Sequence, residues 1–364
     1  MIIMELPEYL TSLGGAEYKG LIIALFTLTA GLSRPFSGKL TDKIGRMPVM
    51  IFGALVSSVC LILYPLISGL AGFFFLRLLH GLSTGFKPTA TSAYVADIVP
   101  ANKRGEAMGI LGLFGSTGMA LGPVLGSYIA GNYSYDAMFY CASFLALLSV
   151  LILFRMKETL VNKERFSTSH LKVGIGDVYE KAVVPAGIVM CLGIYGFGVV
   201  LTIIPDFVLQ FNVENKSIFL FYMTFASVLV RFFAGKASDT YGRIPVLKIG
   251  FLFMTVATIY IGISETIAEL YSSAFILGIG VGMVSPTIFA WAIDLCPDDV
   301  RGRGMATLYI ALEIGIGSGA LISSLIYANN SSMFRYTFWS SALLSILAII
   351  YLYYYENKLK KSLA

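Results

Sequence analysis

The chain has 364 residues, of which 57% are hydrophobic and only 13% are charged, and its mean hydropathy is +0.80. This composition provides too little polar surface for a water-soluble domain of this size, so it excludes a soluble globular protein and indicates a chain that is mostly embedded in a membrane. The four cysteines lack the spacing of a metal site, and neither a metal, a cofactor nor a disulfide framework is expected.

Apolar runs follow one another along almost the whole chain. A spanning helix needs about 20 apolar residues to cross roughly 30 Å of hydrocarbon. We count eleven complete spans, the first near 18–38 and the last near 334–355. The opening segment, MIIMELPEYLTSLGG, is typical of the outer end of a first helix whose beginning is absent. The predicted fold class is therefore an all-α integral membrane protein with eleven full spans and a partial one.

One polar stretch between these spans occurs twice. Residues 34–50 read RPFSGKLTDKIGRMPVM, and a shift of 197 residues finds RFFAGKASDTYGRIPVL at 231–247. The same shift aligns Asp97 with Asp294 in a separate window. Because one shift serves both windows, the chain consists of two duplicated halves.

The repeated pattern, Gly-Lys-x-x-Asp-x-x-Gly-Arg, resembles the loop between the second and third helices of major facilitator superfamily transporters. The second copy falls where that family's eighth and ninth helices meet, so the resemblance covers nearly the whole chain. It implies two pseudo-symmetric six-helix bundles, at 1–156 and 182–364, joined by a cytoplasmic linker or surface helix at 157–181. It also implies alternating access to a cavity at the membrane midplane.

The resemblance assigns a conformational latch to the repeated pattern. In the family the Asp meets the positive end of a helix from the opposite half, expected here just after Arg301-Gly302-Arg303. Gly38 and Gly45 are expected to allow tight turns, and a solvated, positively charged loop is the alternative interpretation. The candidate latch residues are Gly38, Asp42, Gly45 and Arg46, then Asp97 and Arg104 as relay partners of Arg46, and Gly235, Asp239, Gly242 and Arg243 in the second copy.

The helix predicted from Leu70 to Tyr94 carries ionisable groups inside apolar sequence. Arg77, Gly81 and Gly85 resemble the family's fourth-helix motif, R-x-x-x-G-x-x-x-G. A charge that faces hydrocarbon costs at least about 2.5–3.5 kcal/mol, so Arg77 and Lys87 are expected to face a cavity or a partner. For Arg77 a structural tie and a role in proton coupling both stay open. For Lys87 a functional role is the favoured interpretation, whereas for His80 it is helix packing.

Two acidic residues, Glu8 and Glu313, complete the candidates for proton coupling and transport. Glu5 and Glu8 share one side of the partial first helix and are candidate partners for Arg77 and Lys87. Glu313 lies about ten residues into the membrane, where it is either a protonation site or half of a structural pair. The proposed coupling residues are Arg77, His80, Lys87, Glu313 and Glu8.

A glycine-rich helix carries the motif that favours export. Gly118, Gly122, Pro123 and Gly126 resemble the antiporter signature G-x-x-x-G-P-x-x-G-G, with Ser127 in place of the last Gly. Small residues four apart allow close helix packing, and a proline bends the helix. In the family this motif is associated with exporters, particularly drug/proton antiporters. Ordinary small-residue packing is the alternative interpretation.

The positive charges predict the orientation. Most Lys and Arg residues outside the predicted spans fall on the side of the repeated stretches, the linker and the C-terminus, which places that side in the cytoplasm. The net charge of +5 thus reflects topology and predicts no nucleic-acid partner. We expect a multi-pass monomer in a lipid bilayer, most simply a bacterial inner membrane.

These features predict a secondary transporter rather than an enzyme. The expected activity is proton-coupled efflux of small organic or drug-like molecules by alternating access. Two alternatives stay open: a proton-linked uptake permease for a sugar or metabolite, and a receptor-like protein of the same fold that does not transport. Aromatic residues that could line an apolar cavity, although such residues are more often packing, are Tyr195, Phe197, Tyr222, Phe225, Phe289 and Trp291.

Overall fold

The computed structural model describes residues 1–15, 18–211, 217–328 and 330–363, and within these ranges the regular secondary structure is helical. The α-helices are α1 (Leu6–Ser12), α2 (Lys19–Lys43), α3 (Arg46–Leu63), α4 (Leu70–Ile98), α5 (Arg104–Asn132), α6 (Tyr135–Phe154), α7 (Ile175–Val178), α8 (Val184–Phe207), α9 (Ser217–Tyr241), α10 (Arg243–Ile263), α11 (Ile267–Leu295), α12 (Arg301–Tyr327) and α13 (Phe334–Leu363).

Eleven helices in the described part of the chain contain 18 or more residues, one at each predicted span, and the all-α class is confirmed. Nine of them are long and apolar enough to cross a membrane alone, and α9 adds a tenth as a pair of segments bent by 45° between Arg231 and Phe233. The remaining long helix, α4, has 29 residues and a length of about 44 Å. Arg77, His80 and Lys87 interrupt its apolar sequence.

The duplication is visible in the helices themselves. Both α4 and α11 contain 29 residues, and their first residues, Leu70 and Ile267, are 197 positions apart. In the first half α4 packs against α2 and α3, and in the second half α11 packs in the same way against α9 and α10. The repeated sequence therefore builds the same local arrangement twice.

The repeated polar stretch is mostly helical rather than a loop. Only Ile44 and Gly45 separate α2 from α3, and only Gly242 separates α9 from α10. Gly45 has φ +116° and Gly242 has φ +91°, a left-handed conformation that favours glycine. Gly38 lies inside α2, so the expectation of a tight turn at Gly38 is wrong.

Contacts between residues divide the chain into two units. Unit 1 contains Met1–Ile98, Phe114–Lys181 and Cys296–Tyr309, and unit 2 contains Val99–Leu113, Ala182–Leu295 and Ile310–Ala364. Each unit therefore includes the start of a helix from the other half of the sequence. These are the start of α12 in unit 1 and the start of α5 in unit 2.

An aromatic cluster forms part of the core of unit 1. The rings of Tyr64 and Phe139 are stacked with their centroids 5.0 Å apart, and the ring of Tyr9 meets Phe139 edge-on, also at 5.0 Å. The Tyr9 hydroxyl donates a hydrogen bond to the Tyr64 carbonyl at 2.8 Å. This contact fixes the short helix α1 against the turn that follows α3.

We expect Phe139→Ala to destabilise the protein by about 3–5 kcal/mol, because it removes a fully buried ring and leaves a cavity among the other aromatic side chains. Phe144, on the same helix, is 60% exposed and provides the matched control, Phe144→Ala. Unfolding in detergent, followed by circular dichroism, measures both. Equal losses in the two variants would contradict the cluster's structural role.

Candidate functional site

A carboxylate of unit 1 caps the start of a helix from the other half of the sequence. Asp42 is the penultimate residue of α2, and its Oδ1 accepts a hydrogen bond from the Gly302 amide at 2.6 Å while its Oδ2 accepts one from the Arg303 amide at 2.8 Å. The helix α12 begins at Arg301, so these are first-turn amides without partners inside the helix. The helix dipole adds a favourable interaction with the negative carboxylate.

A buried arginine joins this cap to the neighbouring helix. Arg46 is only 1% exposed, and its guanidinium donates to Asp42 at 3.3 Å, to the Thr41 carbonyl at 2.7 Å and to Asp97 at 2.9 Å. Asp97 also accepts a hydrogen bond from Arg301. Two carboxylates and two guanidiniums thus neutralise one another at this end of unit 1.

Unit 2 contains the same arrangement. The Asp239 carboxylate accepts hydrogen bonds from the Gly105 amide at 2.8 Å and the Glu106 amide at 2.9 Å, in the first turn of α5. Arg243 binds Asp239 and also donates from Nε to Asp294 at 2.8 Å. These contacts reproduce those of Asp42 and Arg46 after the shift of 197 residues.

The structure corrects the expected charge relay of Arg46 with Asp97 and Arg104, because Arg104 is not part of it. The Arg104 guanidinium donates to Asp294 at 2.9 Å, within unit 2, and not to Asp97. Arg301, which the repeat aligns with Arg104, occupies the place beside Asp97. The reason is that each arginine opens a helix whose start belongs to the unit formed mainly by the other half.

Two glycines allow the capped helices to approach. A Cβ on Gly38 would lie 2.8 Å from the Cβ of Ala306 and 3.1 Å from the Cα of Arg303. A Cβ on Gly235 would collide with the backbone of Gly105. The first glycine of each repeat is therefore needed for close contact with a helix and not for a turn.

The linker supplies contacts that the sequence did not indicate. Both carboxylate oxygens of Glu158 accept backbone hydrogen bonds, from Arg46 and Met47, at 3.0 Å each. Glu158 therefore caps α3 as Asp42 caps α12. The Thr159 hydroxyl donates to Asp97 at 2.6 Å, so the linker also reaches the arginine network.

Ion pairs bind the rest of the linker along unit 1. Lys43 pairs with Glu164 at 2.8 Å, Lys39 pairs with Asp177 at 2.8 Å, and Arg303 pairs with Glu180. The hydrogen bond from Lys43 lowers the pKa of the Glu164 carboxyl, and the one from Lys39 lowers the pKa of Asp177. Charged residues in a linker are usually solvated, and their pattern alone did not reveal these partners.

Arg77 is held by uncharged groups. It is 3% exposed, and its guanidinium donates to the Ile22 carbonyl at 3.0 Å and lies 4.5 Å from the centre of the Phe26 ring. The expectation that Glu5 or Glu8 pairs with it is wrong, because Glu5 binds Ser127 and Glu8 binds Tyr135.

The remaining coupling candidates occupy different environments. Lys87 Nζ donates to Ser149 Oγ at 3.2 Å, five residues before the end of α6. His80 is buried, its Nε2 lies 3.1 Å from Ser57 Oγ, and its Nδ1 has no hydrogen-bond partner within the described ranges. Glu313 is partly buried in α12, about 18 Å along the helix from Arg301.

The antiporter-like motif lies within α5, with Pro123 inside the helix. A Cβ on Gly118 would meet no described atom within 4 Å, whereas one on Gly122 would lie 3.1 Å from the Met1 nitrogen. A Cβ on Gly126 would collide with the Met1 backbone. The last two glycines therefore provide space for close packing.

Sequence reasoning missed a pair of arginines that open the two repeated stretches. Arg34 is 2% exposed, donates to Thr89 at 3.0 Å and lies 4.2 Å from the centre of the Tyr309 ring. Arg231, its repeat partner, donates to Ser227 at 3.2 Å. The sequence signal that could have indicated them is that both copies of the repeat keep this arginine.

These helices and contacts define a multi-pass membrane protein with two related capped ends. The family model described as Major Facilitator Superfamily matches residues 1–230 and 183–363, and the chain belongs to this family of transporters. It is therefore a membrane transporter for small-molecule substrates.

Curated relatives include multidrug resistance proteins. Multidrug resistance protein 2 of Bacillus subtilis (strain 168) is 30% identical over 244 residues, which cover 64% of this chain and 60% of that protein. Multidrug resistance protein MdtG of Escherichia fergusonii is 27% identical over 365 residues, covering 96% of this chain and 89% of that protein.

Solved structures share the fold at low sequence identity. The human organic anion transporter MFSD10 has a TM-score of 0.78 and 19% identity, over 96% of this chain and 89% of its own. The proton:xylose symporter XylE has a TM-score of 0.80 and 15% identity, over 97% and 90%. Both are major facilitator proteins by fold.

We expect Asp42→Asn to loosen the start of α12, because the amide side chain loses the charge that binds two backbone amides and Arg46. A lost charged cap costs about 1–2 kcal/mol, which corresponds to a rise of about 5- to 30-fold in the detached population. The thiol of Cys296, 6% exposed with a pKa raised to about 12 by burial, reports this detachment through its rate of maleimide labelling.

The labelling is done with the other three cysteines replaced by alanine. Asp299→Asn is the matched control, because it removes the same charge from an exposed site three residues from Cys296. An unchanged rate in Asp42→Asn, or an equal rise in Asp299→Asn, would show that the cap does not hold α12.

Proposed function

We propose that this transporter exports small amphipathic organic molecules against proton entry, by alternating access, as a monomer in a bacterial inner membrane with its C-terminus in the cytoplasm. The observation that carries the proposal is the pair of matching carboxylate caps, Asp42 on α12 and Asp239 on α5. Export is supported by the names of the curated relatives, which are multidrug resistance proteins, and by the resemblance of Gly118 to Gly126 to the antiporter signature.

The caps have the properties of a latch. Each joins one carboxylate to two adjacent backbone amides, so a small displacement of the helix start breaks both hydrogen bonds together. A hydrogen bond to a charged group contributes about 1.5–3 kcal/mol. Moving a two-state equilibrium from 1:99 to 99:1 takes about 5.5 kcal/mol. Two caps with their arginines therefore have the right magnitude to hold one state and still allow its release by a bound substrate.

Proton coupling is assigned to the ionisable groups inside the helices. Lys87 and Glu313 are the main candidates, because each is partly buried within a spanning helix. His80 has one ring nitrogen without a hydrogen-bond partner in the described chain, next to the positive Arg77. Glu8 lies in the first turn of α1 with Tyr135 as its partner, and it is assigned to a gate rather than to a midplane proton site.

We expect Lys87→Ala and Glu313→Gln to abolish substrate-dependent proton movement in reconstituted vesicles that contain a pH-sensitive dye. The probe is tetraphenylphosphonium, an apolar cation, added under an imposed pH gradient. Loss of the coupling group removes the charge change that links the flux of the substrate to the flux of protons. Lys103→Ala and Glu265→Gln, which alter exposed residues, are the matched controls.

The direction of flux separates export from uptake. Accumulation of tetraphenylphosphonium against its gradient on the side from which protons leave supports antiport, whereas movement of both species together supports a proton-linked permease. Normal coupling in both variants would overturn the assignment of Lys87 and Glu313 and leave the transport proposal intact. Absence of flux in the folded wild type for cations and sugars alike would contradict transport by this chain.

A further inference from the structure

Unit 2 contains an apolar cavity of about 60 Å³ between its helices. Three methionines from three helices meet there: Met190 on α8, Met223 on α9 and Met254 on α10. We call this space the methionine cavity. Its other walls are mostly aliphatic or aromatic, and no lining residue is charged. They include Phe197, Leu277, Val281, Val284, Phe289 and one hydroxyl residue, Ser285.

The methionine cavity lies at half the height of the helices. Met254 is eleven residues after the start of α10 and nine before its end. Leu277 and Val284 are likewise in the middle of α11, which runs from residue 267 to 295. Substrate sites of secondary transporters lie near the bilayer midplane, so the depth of this cavity suits a binding site.

The internal repeat gives the cavity a counterpart with different chemistry. The shift of 197 residues aligns Met254 with Ser57 and Leu277 with His80. In unit 1 these two form a polar contact, with Ser57 Oγ 3.1 Å from His80 Nε2. The same backbone position is therefore polar and titratable in unit 1 and apolar in unit 2.

One further aligned position shows the same contrast, and another places an apolar residue in both copies. Val284 lines the methionine cavity where the repeat has Lys87, and Met223 lines it where the repeat has Phe26, whose ring meets His80 with the centroids 5.6 Å apart. The second copy has thus lost both ionisable groups from this site. A charged ligand group would have no partner there, and burying it would be costly.

The walls of the cavity can adapt to a ligand. Methionine is unbranched and flexible at three bonds, and its sulfur makes favourable contacts with aromatic rings. The volume of about 60 Å³ exceeds the share of one water molecule in the liquid, roughly 30 Å³, yet the apolar walls offer water almost no hydrogen bonds. Such a space takes an apolar group more readily than water.

We propose that the methionine cavity is the subsite that receives the uncharged alkyl or aryl group of the transported molecule. The identity of this ligand as cargo rests on the proposed export function. Binding of an apolar group at the cavity does not rest on it, so the two are tested separately.

The binding test uses toluene as the probe and the full chain in detergent, labelled with [methyl-¹³C]methionine. Toluene shifts the methyl resonances of Met190, Met223 and Met254 saturably. Val281→Phe fills the cavity and weakens this binding about tenfold or more, and the smaller change Val281→Leu weakens it less. Val256→Phe adds the same ring at a site that is 49% exposed on α10, and leaves binding unchanged.

The outcomes of this titration decide the proposal. Shifts confined to methionines outside the cavity, no saturation, or equal affinity in the wild type, Val281→Phe and Val281→Leu would each overturn it. Val281→Leu keeps the test valid if the larger residue prevents folding.

A flux test then asks whether the apolar group of a transported molecule occupies the methionine cavity. Alkyltriphenylphosphonium ions with alkyl chains from methyl to hexyl are compared in the vesicle assay. In the wild type, apparent affinity rises with chain length, and Val281→Phe flattens this rise while Val256→Phe preserves it. A steep rise that persists in Val281→Phe overturns the subsite as the place of the cargo. No flux of any ion, together with saturable toluene binding, would instead contradict the proposed export function.

Discussion

A carboxylate at the positive end of a helix is the interaction on which both units depend. The start of α12 enters unit 1 and the start of α5 enters unit 2, and each has amides that its own helix leaves without partners. Asp42 and Asp239 satisfy them. The nine-residue pattern around each aspartate encodes the whole device: a glycine for close approach, the capping aspartate, a left-handed glycine for the turn, and an arginine that returns to balance the charge.

The linker extends this device in unit 1. Glu158 caps α3 directly after the left-handed Gly45, and Glu180 binds Arg303 beside the capped amides. The linker thus contacts both sides of the Asp42 cap. In the proposed cycle, release of α12 from unit 1 also requires release of Arg303 from the linker. The linker therefore joins the halves covalently and also stabilises the capped position of α12 through its side chains.

The sequence predicted the helices and the duplication well, because hydropathy and a single shift of 197 residues are strong signals. It misjudged the ends of the helices: α2 continues to Lys43, since hydrogen bonding along a helix does not stop where apolar residues stop. The resemblance led to Asp42 beside residues 301–303, where the structure has this contact, and its role as a latch stays a prediction. It led to the wrong partner for Arg104, because it gave no information on which arginine faces which unit.

The two copies differ in the middle of their helices. Their ends keep the capping aspartates and the arginines that bind them, whereas in mid-helix Ser57, His80 and Lys87 are replaced after the shift by Met254, Leu277 and Val284. A motion that breaks and forms the caps of both units requires matching contacts at the two capped ends. Retaining the duplicated residues unchanged at those ends is therefore useful. Recognition of an amphipathic molecule requires two unlike environments, a polar one and an apolar one. Two copies of one bundle meet both needs if the capping residues stay and the mid-helix residues diverge, and this chain keeps Asp42 and Asp239 while it replaces His80 by Leu277.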